Sequence, residues 1–467
     1  MLKQKLDNGW ALFRQALAGD SEVNYTEGSI GRATFLLAVP MILEMSMEAV
    51  FAIVDIIFVA RLGTEAVATV GLTEALITLL YAVAIGLSMG ATALVARRIG
   101  EKNPDAAAHT AGQVIWLGAL VSCVVGVIGF SFPQQLLALM GAEAAVIETG
   151  ANYTRLMFGA SFTIVFLFLI NAIFRGAGDA TVAMHALLLA NGINIVLDPC
   201  FIFGLGPFPE LGVTGAAVAT NIGRGVGTLY GLYYLLVGSG RIRLRAPDMV
   251  LQLGLVWSLV RVSLGGVGQF LVATASWVFL MQIVSGFGSE SVAGYTIAVR
   301  IAIFTLLPAW GLSNAAATLA GQNLGAGLPD RAATTTWRIA GYNAIYMGLV
   351  GVLIFLFPAQ IAGLVSREAE VVDIAVICLR IFAYGYIPWG FGMAIIQAFN
   401  GAGDTMTPTY INILCFWIIQ VPLAYLLALT LAMGPPGVFW AVLVSDVALG
   451  IVGTMVFARG KWKTRQV

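Results

Sequence analysis

The chain has 467 residues, of which 59% are apolar and 10% charged, and its mean hydropathy is +0.92. A soluble chain of average make-up is about 45–50% apolar and about 25% charged, so these proportions exclude a water-soluble globular protein and predict an all-α polytopic membrane protein. Basic and acidic residues balance at 24 each, which leaves no net field to attract nucleic acid or an acidic partner.

Residues 1–30 are expected to form a cytoplasmic N-terminal segment. Leu2, Trp10, Leu12, Phe13 and Leu17 alternate there with Lys3, Lys5 and Arg14, the pattern of an amphipathic helix lying on the inner leaflet. The apolar stretch comes too late for a secretory signal, and no small-residue cleavage site follows a short hydrophobic run. About 20 mostly apolar residues cross a ~30 Å hydrocarbon core. Twelve such spans follow, near 33–59, 66–96, 108–130, 151–173, 180–203, 213–237, 255–285, 292–320, 335–357, 371–398, 405–432 and 437–458. Connectors such as Arg61-Leu62-Gly63-Thr64 and Met433-Gly434-Pro435-Pro436 are too short to hold a soluble domain. The expected division is an N-lobe at 31–237, a cytoplasmic linker at 238–254, a C-lobe at 255–458 and a basic cytoplasmic tail at 459–467. Basic residues gather before span 1, after span 2 (Arg97, Arg98, Lys102), after span 6 (Arg241, Arg243, Arg245) and after span 12 (Arg459, Lys461, Lys463, Arg465). An even count puts all four clusters on one side. By the positive-inside tendency both termini are cytoplasmic, in a cell's inner (plasma) membrane.

The halves repeat. Adding 225 carries Gly63 and Glu65 to Gly288 and Glu290, Gly100, Pro104 and Asp105 to Gly325, Pro329 and Asp330, and Gly176-Ala177-Gly178-Asp179 to Gly401-Ala402-Gly403-Asp404. Six spans per half is an even number, so both halves enter the membrane from the same side. That predicts two six-helix lobes related by a pseudo-twofold axis along the membrane normal, an architecture of secondary transporters.

Gly-Ala-Gly-Asp occurs in both halves, and a GxGD sequence also marks intramembrane aspartyl proteases. Such enzymes need facing aspartates deep enough to share a proton. Asp179 and Asp404 instead follow glycines in cytoplasmic turns, where they are expected to cap the helices that come next. There is no Walker sequence, HExxH or GxSxG, and no enzyme activity is expected. Cys123, Cys200, Cys378 and Cys415 are scattered singly, without disulfide or metal-ligand spacing. Neither a cofactor nor a structural metal is implied.

Ionisable residues inside spans are functional candidates by default. Span 1 holds Glu44, Glu48 and Asp55. At about 100° per residue, Glu48 lies roughly 40° and Asp55 roughly 20° from Glu44, so the three share a face. Span 5 holds Asn191, Asn194 and Asp198 at helical spacing, and a plain polar clamp between helices is the structural alternative. Asp55 lies six residues before Arg61 and Asp198 six before Gly204, which predicts one depth for the two carboxyls, in the outer half of the N-lobe. Such a pair can load a proton or, with amide oxygens, hold sodium. In the second half Asp55, Asn194 and Asp198 map to Leu280, Ile419 and Leu423, and Glu44 maps to Gln269. The ionisable constellation is therefore expected in the first lobe alone, with Asp446, counterpart of Asn221, as a secondary candidate. No partners are assigned to Glu74, Arg300 and Arg380.

Val54-Asp55 with Arg61-Leu62-Gly63, Arg175-Gly176-Ala177-Gly178-Asp179, Asn194-Ile195-Val196-Leu197-Asp198-Pro199 and Gly215-Ala216-Ala217-Val218-Ala219-Thr220 together resemble the multidrug and toxic compound extrusion (MATE) family, from about residue 30 onward. The resemblance implies two lobes in a V shape and export driven by H+ or Na+. It is closer to the DinF-like branch, whose coupling cluster matches Asp55, Asn194, Asp198 and Thr220, than to NorM-like members with acids in spans 7 and 10. Glu44, Glu48 and Asn191 stand beside that cluster as accessory candidates. The expected function is a secondary antiporter that exports amphipathic, cationic drugs or metabolites by alternating access. It would act on small molecules within a lipid bilayer, with no nucleic acid and no obligate protein partner. The alternative is a flippase for lipid-linked intermediates, whose cavity should be rich in Arg and Lys, whereas basic residues are few in these spans.

Overall fold

The computed structural model describes residues 2–19, 23–238 and 240–465, with side chains throughout except at 2–8 and 64. Side chains of Leu2, Lys3 and Lys5, on the expected amphipathic helix, and the end of the basic tail fall outside the described set. The helix itself is present as α1 (Leu2–Ala18). It turns Leu12 and Ala16 toward the protein and leaves Trp10 56% exposed.

Six crossings make the first lobe: α2 (Ile30–Ala60), α3 (Thr64–Gly100), α4 (Pro104–Ser131), the fourth, then α8 (Ala180–Phe203) and α9 (Val213–Leu236). A short α5 (Pro133–Leu139) follows α4, and the fourth crossing is built from α6 (Ala144–Gly159) and α7 (Ser161–Ala177). The second lobe begins with α10 (Leu253–Ser285), α11 (Ser289–Gly325) and α12 (Pro329–Leu356). A short α13 (Pro358–Gly363) repeats α5, and α14 (Ala369–Gly401) is the tenth crossing. The eleventh runs α15 (Met406–Asn412), π-helical Ile413–Gln420, α16 (Val421–Tyr425) and π-helical Leu426–Thr430, and α17 (Pro435–Ala458) is the twelfth. Ten of the twelve are long and apolar enough to cross a membrane by length and composition. The other two are α2 and α9, which carry Glu44, Glu48, Asp55 and Arg224. Together these make the all-α, twelve-crossing, two-lobe architecture expected from the sequence.

Local sequence sets the ends. Proline opens α4, α5, α12, α13 and α17, where its missing N–H has no helical partner to lose. Gly63 and Gly288, one repeat apart, precede α3 and α11 at φ 98° and 103°, a region that glycine enters freely.

The capping reading of the two aspartates needs correction. Gly178 does close α7 in the left-handed region, but Asp179 makes no cap bond. Its Oδ2 accepts the Arg241 backbone N–H at 2.9 Å and its Oδ1 lies 3.3 Å from Arg241 Nε. Asp404 accepts from Thr407 Oγ1 at 2.7 Å rather than from a backbone N–H. The inter-lobe linker brings Arg241 within reach, and its backbone N–H and guanidinium together offer Asp179 more than the single backbone N–H of a cap. Burial pushes the Asp179 carboxyl up from its ordinary range, and Arg241 partly offsets this.

Two apolar cores lie one in each lobe, and a third joins them. In this third core Leu36, Leu37, Ala38 and Met41 of α2 pack with Leu312, Ala315 and Leu319 of α11, Phe399 of α14 and Trp462 of the tail. The lobes meet closely at the end that bears the described chain ends. A Cβ at Gly100 would strike the Gln322 carbonyl, one at Gly325 the Arg97 carbonyl, and one at Gly311 the Met41 carbonyl. Gln322 Nε2 donates to the Gly176 carbonyl at 2.9 Å and Thr318 Oγ1 to the Arg175 carbonyl at 3.0 Å. Beyond this seal the lobes enclose a cleft.

Candidate functional site

Three helices of the first lobe converge with their polar stripes inward. Asn194 Nδ2 donates to Thr220 Oγ1 at 3.0 Å and reaches Asp198 Oδ1 at 3.4 Å. Asp55 of α2 meets Asp198 of α8 within hydrogen-bonding reach. Asn194, Asp198 and Thr220 are buried, and Asn194 Oδ1 and Asp198 Oδ2 have no donor among the described residues. Ionised carboxylates only accept. A contact between two of them, beside further unmet acceptor oxygens, can therefore accommodate a proton or a cation. The expected quartet is in one place, and the depth argument for Asp55 and Asp198 holds.

The accessory residues separate from it. Glu44, 1% exposed, pairs with Arg175 Nη1 at 2.7 Å and accepts from Asn171 Nδ2 at 3.1 Å, which ties α2 to α7. Glu48 accepts from Asn191 Nδ2 at 3.0 Å. Asp446 lies in the other lobe, on α17.

Sequence reasoning missed Arg224. It sits one turn after Thr220 on α9, buried, with its guanidinium 5.9 Å from the ring centroids of both Phe51 and Tyr81. It lies in the fields of Tyr81, Glu48 and Asp55, while its Nη1 has no hydrogen-bond partner among the described residues. The available signal was a lone arginine, i+4 from Thr220, in a glycine-rich span. Its carboxylate partners are distant in sequence. Glu74, left unassigned above, lies in the fields of Asp55, Arg224 and Arg300.

Glu48 and Arg224 also line the cleft, a space of about 1120 Å³ counting what is open to solvent. Its N-lobe wall carries Glu44, Glu48, Arg175 and Arg224 among Met45, Met89 and Phe168. Basic groups are few, as expected, but two arginines stand against two glutamates, so the wall is charged in both signs. The C-lobe wall presents Trp310 and Leu307 beside a neutral amide ladder. In that ladder Gln269 Nε2 donates to Asn400 Oδ1 at 2.8 Å, Asn400 Nδ2 to Gln397 Oε1 at 2.7 Å, and Gln397 Nε2 to Asn314 Oδ1 at 2.9 Å. Among the described residues no group of three or more His, Cys, Asp or Glu is placed to hold a metal ion.

The MatE family model matches residues 40–200 and again 267–426, once in each half. The chain is 28% identical to the probable multidrug resistance protein YoeA of Bacillus subtilis, over 94% of this chain and 96% of the relative. It is 26% identical to the FAD transporter of Shewanella oneidensis, over 85% and 88% of the two. Among solved structures it superposes on a multidrug resistance MATE transporter of the MOP superfamily in an outward-facing conformation. The TM-score is 0.88 at 28% identity, covering 95% of this chain and 99% of that one.

Proposed function

Because the chain belongs to the MATE family and is a secondary active multidrug antiporter working by alternating access, we propose that Asp55, Asn194, Asp198 and Thr220 form the site through which an ion gradient drives it. The observation that carries this reading is the contact of half-buried Asp55 with buried Asp198, beside acceptor oxygens that no donor among the described residues satisfies. Loading it with H+, or with Na+ on the oxygens of the quartet, relieves repulsion between two carboxylates and draws α2 toward α8. Glu48 and Arg224 connect this site to the cleft, so its charge is felt where substrate binds. Pro40 lies within the stretch of α2 packed on the second lobe, two turns before Glu48. Its missing N–H loosens the helix there.

Both termini are cytoplasmic in this reading, on the strength of the basic clusters. The sealed end then faces the cytoplasm and the cleft faces out, as in the outward-facing relative. An ion arriving from outside favours return to the inward-facing state, and it can do so only through unequal affinity for the two states. The substrates are amphipathic cations, held by Glu48 and by the Trp310 and Phe168 rings, with methionines that adapt to different shapes. The quartet and the neutral Gln269 support placement in the DinF-like branch. The cycle asks for no second protein.

Transport of ethidium into proteoliposomes, with pH and sodium gradients imposed separately, tests the proposal. Asp55→Asn and Asp198→Asn should each abolish gradient-driven transport while ethidium still binds. Wild-type rates in both would refute the site. A second reading, that organic anions are also carried, rests on Arg224, which lines a cleft whose other arginine, Arg175, is already paired with Glu44. It is tested by competition. FAD should slow ethidium transport in the wild type and not in Arg224→Gln, and equal inhibition of both would dismiss it.

A further inference from the structure

The second lobe keeps part of the polar scaffold that holds the N-lobe quartet. Adding 225 to Thr220 gives Ser445. Thr220 Oγ1 accepts from Asn194 Nδ2 at 3.0 Å, and Ser445 Oγ accepts from Gln420 Nε2 at 2.8 Å across the matching pair of crossings. By the same offset Asn194 should meet Ile419, one residue short of Gln420. The π-helical stretch Ile413–Gln420 accounts for the slip, because a wider turn takes up an extra residue and rotates the next side chain into place. Gln420 Oε1, like Asn194 Oδ1, is buried without a donor among the described residues.

Beside Ser445, halfway along α17, stands Asp446, 6% exposed. Its counterpart Asn221 is tied to Thr163 Oγ1 and to the Leu156 carbonyl, each at 3.2 Å. Asp446 forms no hydrogen bond or ion pair among the described residues, and no charged side chain there acts on it. Its Oδ2 comes 3.9 Å from where a Cβ would stand on Gly385 of α14. The titratable groups facing it are Tyr295 from α11, Tyr386 and Cys378 from α14, and Cys415 from the eleventh crossing. All are neutral in their ordinary state. The Tyr295 hydroxyl is buried with no hydrogen-bond partner among the described residues, and the Tyr386 hydroxyl is shared with Thr305 Oγ1 at 3.0 Å. Pro388 further leaves the Tyr384 carbonyl without its helical donor.

An isolated carboxylate is costly in apolar surroundings, while the neutral acid both donates and accepts. The oxygens at hand are fewer than the six or so that a hard cation takes. We propose that Asp446 is a second proton-binding site, in the C-lobe, on the repeat-related Gln420–Ser445 scaffold, carrying its proton independently of Asp55 and Asp198. The site goes beyond the N-lobe reading and stands whether or not that reading does.

The test is an infrared pH titration of the full-length chain in lipid, in an Asp55→Asn/Asp198→Asn background. The spectrum should keep one protonated-carboxyl carbonyl band that vanishes when Asp446→Asn is added and shifts in Asp446→Glu. Proton uptake on acidification should fall by about one per chain with the loss of Asp446. If Asp446→Asn does not fold, the shift in Asp446→Glu decides. An unchanged spectrum in the variants overturns the proposal, and so does loss of the band on adding sodium at constant pH, which would make the ligand a cation. Because the N-lobe pair is absent from the background, failure of the coupling proposal leaves this result unaffected.

Discussion

At Asp55 and Asp198 an Asn keeps the shape and removes the group that gains and loses charge, so gradient-driven export should fall below detection in ethidium assays. Asn194→Ala and Thr220→Ala remove neutral ligands, each worth about 1 kcal/mol, and should weaken ion affinity about fivefold in binding titrations. Leu280 and Leu423, which the +225 offset pairs with the aspartates in sequence, should accept Met with near-normal transport because they only pack. Asp179→Asn loses the charge that holds Arg241 and should cost about 2 kcal/mol, the scale of a hydrogen bond to a charged group. Asp404→Asn, which disturbs one hydroxyl bond, should cost less. Thermal unfolding of the two in detergent checks the order, and equal midpoints would count against it. Acids inside spans were conspicuous in the sequence because composition alone makes them costly. Their partners were not. Arg241 meets Asp179, and Arg175 meets Glu44, across long stretches of chain, and no periodicity records such a meeting.

Among the elements, the seal rests on backbone contact at repeat-related glycines. In Gly100→Ala the new methyl meets the Gln322 main chain, which cannot swing aside as a side chain would. Overpacking of this kind costs about 1–3 kcal/mol, and only while the seal is closed. The equilibrium should move about tenfold toward the opposite state for each 1.4 kcal/mol. A cysteine at Asn314, on the cleft wall, should then label faster from the sealed side of inside-out vesicles, with the four native cysteines replaced. No change in rate would mean that the seal yields elsewhere. Apolar stretches between turns located all twelve crossings, although α2 and α9 fall short of the combined length and composition that mark the other ten. They gave no sign of the break at Ala160 within the fourth or of π-helical turns in the eleventh. Those are shifts of backbone register inside a continuous apolar run, where one helix type buries much the same side chains as another.

For the whole molecule, orientation is the first thing to check. Cysteines at positions 101 and 461 should react with impermeant reagents only from the cytoplasmic side, and labelling of either in intact cells would invert the topology. The repeat makes the two lobes legible in the sequence but hides where the spatial boundary runs. The inner half of α2 belongs by sequence to the first lobe and by packing to the second, through Leu36, Leu37 and Met41 against α11. Biosynthesis inherits a fixed order from this exchange. The earliest apolar helix made must wait in the membrane, one flank uncovered, until some 270 residues later α11 arrives to cover it. A C-terminal half expressed alone would lack that flank and offer a greasy groove to other membrane segments. Supplying residues 1–60 as a separate chain should rescue its yield in co-expression, and supplying residues 64–237 should not.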